Sequence, residues 1–112
     1  MSTRPLDTEL DPTPLVRLLL EKTKAGKVAW EATADPQAFI ASSGGKATFK
    51  IYLAGEDETF LASLDEKGKT LLIVNSGQVQ DFSLESLYRL AKRIANKLDE
   101  KLAILLETVE KL

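Results

Sequence analysis

Side chains able to do chemistry are few in this 112-residue chain, and two of the most versatile are missing: it has no His and no Cys. Their absence removes imidazole relays, thiol nucleophiles, disulfides and structural zinc sites. Lys, Tyr, Ser, Asp and Glu remain. Acid–base work by two carboxylates needs both at one cleft, with one of them desolvated. The acids here fall mainly on turn tips and outer helix faces, so no enzyme is expected and no residue is assigned as catalytic. Glu56-Asp57-Glu58, with Asp65 and Glu66 at the next turn, offers oxygen ligands for a hard cation. The run lacks the ligand spacing of a calcium loop, spread over about twelve residues, and acidic turn tips serve solvation. Neither a metal nor a cofactor is predicted. Ser42-Ser43-Gly44-Gly45 has the look of a phosphate loop, but it carries no Gly-Lys-Ser/Thr run and leads into a strand rather than a helix. It reads as a hairpin loop.

Arg89, Arg93, Lys97 and Lys101 recur every four residues, with Lys92 beside them, and form one basic stripe at helical spacing. Such a stripe can touch phosphates, each contact adding salt-dependent affinity. Glu85 lies four residues before Arg89, and Asp99 and Glu100 interrupt the field, so ion pairs along the helix surface account for it equally well. No aromatic is interleaved for base stacking. Nucleic acid is therefore the alternative partner, not the leading one. Trp30 is expected to share an inward face with Val28 and Ala32 and to pack under a helix.

The elements that must position these residues follow from composition and periodicity. Lys plus Arg number 15 against 17 Asp plus Glu, a net charge of -2, and 44% of residues are apolar. This is the balance of an ordinary globular chain, with no global pull toward nucleic acid or an anionic membrane. Residues 1–13, with Pro5 and Pro12 and few large apolar side chains, read as a flexible tail, and 14–112 as one α+β domain. The tail lacks the apolar segment of a secretory signal, and no window is apolar enough for a membrane span, which predicts a cytoplasmic protein.

Thr13 as cap and Pro14 as first helical residue open a helix over 14–25, with Leu15, Leu18, Leu19 and Lys22 as its inner stripe and Gly26 ending it. From Lys27 to Asn75 the period falls to two. About five short strands follow, too closely spaced for crossover helices, so they form an antiparallel meander. In the clearest strand, Lys46–Leu53, Phe49, Ile51 and Leu53 face inward and Thr48, Lys50 and Tyr52 outward; in the next, Phe60, Ala62 and Leu64 are expected inward. Asp65-Glu66-Lys67-Gly68 reads as a type I turn closed by a left-handed glycine.

Helical spacing then runs from Leu84 to Leu112, with Asp81 or Ser83 as cap. A straight helix of that length would reach ~43 Å, against ~30 Å for a small domain. A break near Asn96–Asp99 is the expected resolution, with dimerisation through the distal stripe as the next. The long or broken C-terminal helix is expected on one face of the sheet. The opposite face would then show Tyr52, Leu61 and Ile73. That stripe, together with Leu102, Leu105 and Val109, is the candidate surface for a protein partner or a second copy.

Lys24-Ala25-Gly26-Lys27-Val28-Ala29-Trp30-Glu31, Phe39-Ile40-Ala41, Leu64-Asp65-Glu66-Lys67-Gly68, Leu87-Tyr88-Arg89-Leu90-Ala91 and Leu98-Asp99-Glu100-Lys101-Leu102 resemble small, mostly uncharacterised bacterial and phage-associated proteins. The resemblance covers residues 14–106 and implies a helix–meander–helix fold with a break before the final helix. It implies no activity. Asn96-Lys97 stands here in place of a glycine-containing break. The expectation is a non-enzymatic interaction module, probing protein surfaces rather than transforming a substrate. The alternative is a nucleic-acid-associated accessory protein using Arg89, Arg93, Lys97 and Lys101.

Overall fold

The computed structural model describes residues 10–42 and 47–112. The expected tail through residue 9, the loop at Ser43–Gly45 and the expected strand start at Lys46 lie outside the described residues. Among the described residues, three helices and five strands follow in the order α1 (Thr13–Lys24), β1 (Glu31–Ala32), β2 (Ala38–Ser42), β3 (Thr48–Ala54), β4 (Glu58–Leu64), β5 (Thr70–Asn75), α2 (Ser83–Ala95) and α3 (Leu98–Glu110). The strands form one antiparallel sheet in sequence order, the meander that the short connections require. A 3-10 turn at Ser76–Gln78 leads off β5, where Gln78 Oε1 accepts the Asn75 N–H at 2.9 Å.

Helix α1 starts one residue earlier than expected, with Pro12 as its N-cap and Thr13, the expected cap, as its first helical residue. Asp11 Oδ1 accepts the Thr13 N–H at 3.0 Å. The Thr13 hydroxyl is thereby free to accept the Gln80 N–H at 3.0 Å, which ties the start of α1 to the approach to α2. The helix ends as a Schellman motif: Gly26 N–H donates to Thr23 O and Lys27 N–H to Lys22 O, with Gly26 at φ +76°. Its buried stripe is Thr13, Val16, Leu19 and Thr23; of the expected Leu15, Leu18, Leu19 and Lys22 only Leu19 belongs to it. The physical reason is the buried Trp30, whose Nε1–H donates to Thr23 Oγ1 at 3.1 Å while the Thr23 hydroxyl donates to Leu19 O at 2.8 Å. A buried indole needs an acceptor. Trp30 faces inward as expected, but Ala32, expected on the same face, is exposed, and only Glu31–Ala32 of the segment pairs as a strand.

Register fixes the two faces of the sheet. Phe39, Ile51, Leu61 and Val74 lie opposite one another across β2 to β5 and form the central row under the helices. The phase of β4 is therefore the reverse of expectation: Thr59, Leu61 and Ser63 point inward, and Phe60, Ala62 and Leu64 outward. A three-residue loop with Gly55 and Asp57 both at positive φ pairs Ala54 with Glu58 and sets this phase. The Asp65–Gly68 turn forms as read. Asp65 Oδ1 accepts the N–H groups of Lys67 and Lys69, and Gly68 takes φ +83°.

Helix α2 lies over the sheet through Leu84, Leu87, Tyr88 and Ala91, with Tyr88 tilted against Phe39 at 5.7 Å and its hydroxyl donating to Gln37 O at 3.2 Å. Asp81 joins the starts of α1 and α2. It accepts the Ser83 N–H at 2.9 Å, the Ser83 hydroxyl, and the Arg17 guanidinium at 2.7 Å. These donors, Ser83 foremost, lower its pKa from 3.8 to about 2. The helix then breaks at Asn96-Lys97, where Lys97 occupies the left-handed region at φ +53°. Asp99, in the first turn of α3, pairs back across the break with Arg93 at 2.8 Å.

Candidate functional site

Helix α3 is built of good helix formers and begins with two acids, Asp99 and Glu100, which suit the positive end of the helix dipole. It buries no side chain at all. Leu98, Leu102, Leu105, Leu106, Val109 and Leu112 are between 41% and 99% exposed. At 100° per residue all six fall within one sector of about 120°, the width of a stripe made to be covered. The radius of gyration, 16.5 Å, exceeds the ~13 Å of a compact domain of this length, as a helix standing clear of the body requires. A lone 13-residue helix is marginal in water.

The outer face of the sheet is the second apolar surface. Leu71 and Ile73 of β5 are 61% and 49% exposed. Beside them Tyr52 stacks on Phe60 at 5.4 Å, with Lys50 Nζ 5.5 Å from the Tyr52 ring centroid. Of the residues expected to meet a partner, Tyr52 and Ile73 lie on this face and Leu102, Leu105 and Val109 on α3. Leu61 belongs to neither. Its 0% exposure places it in the core row, because the phase of β4 is reversed. Leu98, Leu106 and Leu112 complete the α3 stripe, and their spacing from Leu102, Leu105 and Val109 was the signal that marks them.

The basic residues do not form one stripe. Arg89 and Arg93 are on α2, Lys97 is at the break, and Lys101 is on α3 beyond it. Arg89 and Arg93 line a shallow, open groove between α1 and α2 of about 260 Å³, together with Lys24, Leu20, Ser86 and Leu90. The pairing expected between Glu85 and Arg89 is replaced by that of Arg93 with Asp99, and Glu85 Oε1 is buried without a hydrogen-bond partner among the described residues. Glu56, Asp57 and Glu58 are exposed at their hairpin tip. Among the described residues no three metal-ligating side chains converge, and no helix is long and apolar enough to cross a membrane. Comparison with protein families, with curated proteins and with solved structures finds no match.

Proposed function

We propose that this chain is a small, non-enzymatic interaction module that works by contact and self-associates through apolar surface its own fold leaves uncovered. The observation that carries this reading is the α3 stripe, six large apolar side chains with nothing packed over them. Contiguous exposed apolar surface of that kind marks an interaction site. The outer face of the sheet, with Leu71, Ile73 and the Tyr52–Phe60 stack, is a second candidate contact. A cytoplasmic, bacterial setting belongs to the same proposal and rests on the absence of Cys and on the resemblance noted above. Sedimentation velocity on the full chain tests it. A species heavier than the 12.3 kDa monomer is expected at roughly 100 µM, as suits a modest interface, and a clean monomer at that concentration overturns it.

A nucleic-acid-associated role draws on the three cations at the α1–α2 groove, Lys24, Arg89 and Arg93. An electrophoretic shift at two salt concentrations separates the two readings. Binding at low salt that vanishes at high salt supports the second; none at low salt removes it.

A further inference from the structure

We infer that α3 pairs antiparallel with α3 of a second copy of this chain, an inference that names the contact behind the self-association proposed above and rests on that reading. Leu98, Leu102, Leu105, Val109 and Leu112 are separated by four, three, four and three residues. This alternation is the seam of a two-stranded coiled coil, in which each side chain inserts between four of the facing helix. A seam of one kind throughout is complementary to itself, as a two-fold contact demands. Leu106 widens the stripe on one side. Ile104 stays outside it as a single exposed apolar residue, which is ordinary.

Area supports a second copy as the occupant. Six side chains exposing on the order of 100 Å² apiece give roughly 1,200 Å² for two copies, the lower edge of a specific interface. The pair should therefore hold at high concentration and come apart on dilution. Orientation follows from three features. With Leu102 opposite the partner's Leu105 and Leu98 opposite the partner's Val109, Lys101 flanks the partner's Thr108 and Asp99 the partner's Leu106, so no like charges meet. The two helix dipoles oppose. A parallel pair would instead bring two bodies, each about 28 Å across, to the same end of helices whose axes are only ~8–10 Å apart.

The chain has no Cys, so single introduced thiols can carry spin labels in the full-length protein. Ala103→Cys lies near the centre of the antiparallel pair and Lys111→Cys near its ends, about 22 Å apart along the axis by helical rise. Double electron–electron resonance should give a clearly longer interprotomer distance for Lys111→Cys than for Ala103→Cys. The variant Leu102→Glu/Leu105→Glu should be monomeric with unchanged circular dichroism of the body, while Leu71→Glu/Ile73→Glu should still dimerise. Equal distances at the two labels would show a parallel pair. Dimers lost through the sheet variant but kept in the α3 variant would show the wrong surface. Either result overturns this inference and leaves self-association standing, whereas a wild-type chain that stays monomeric overturns both.

Discussion

Replacing Thr23 by Val exchanges a hydroxyl for a methyl of nearly the same shape, at a site where the hydroxyl accepts from Trp30 and donates back to Leu19 O within its own helix. The Trp30 side chain is 3% exposed, and its N–H reaches Thr23 Oγ1 at 3.1 Å. Once the acceptor is gone, the indole N–H is buried without a partner, which costs ~1–3 kcal/mol. Helix propensity barely changes, both residues being β-branched. For a chain of this length each kcal/mol moves Tm by roughly 4 °C, so Thr23→Val should lower Tm by about 4–12 °C. The decisive measurement is a double-mutant cycle with Trp30→Phe, followed by circular dichroism in urea. Phe has no N–H to strand, so Thr23→Val in that background should cost under ~0.5 kcal/mol, leaving a coupling of ~1–2 kcal/mol. The cavity left by the smaller ring cancels in the cycle. An equal cost of Thr23→Val in both backgrounds would refute the account of why α1 presents threonine to the core.

Leu61→Ala should destabilise by ~2–5 kcal/mol in urea, as a fully buried leucine does, while Leu71→Ala, 61% exposed, should stay within ~0.5 kcal/mol; the reverse order would contradict the β4 phase. Gly68→Ala should cost ~1–2 kcal/mol, since φ is +83° and the added Cβ meets nothing within 4 Å; the loss is read as a shift of the urea midpoint. Asp81 titrates near 2 in the folded chain against an ordinary 3.8. Its depressed pKa means that its contribution is fully present above pH 3.8 and is lost as pH falls toward 2. Asp81→Asn should therefore flatten the acid limb of the stability curve between those values, as seen by acid titration of the circular dichroism signal.

The meander was legible because its punctuation is local. Asp65 and Gly68 carry their turn chemistry in their own side chains and backbone freedom, and Phe49, Ile51 and Leu53 alternate with polar neighbours. The phase of β4 was not, because Phe60-Leu61-Ala62-Ser63-Leu64 is apolar on both faces. What decides between them is the backbone at Gly55 and Asp57, which sets Ala54 against Glu58. In α1 the threonines counted as polar, yet Thr13 and Thr23 are buried because each has a partner distant in sequence or across the next loop, Gln80 and Trp30. The break at Asn96-Lys97 was legible from helix length alone. The basic stripe failed for the same reason, since its spacing assumed a helix that does not continue. Leu102, Leu105 and Val109 stood out by periodicity, but periodicity reports that a stripe seeks cover and not what supplies it.

The left-handed turn at Lys97 divides the labour of this chain. Every residue that holds the sheet and its two covering helices together lies before it, and the leucine-rich segment after it contributes no side chain to that interior. Substitutions beyond residue 97 can consequently alter the company the molecule keeps while its melting behaviour stays the same. Affinity and foldedness are free to drift independently, and the final helix could be exchanged for another without rebuilding what carries it.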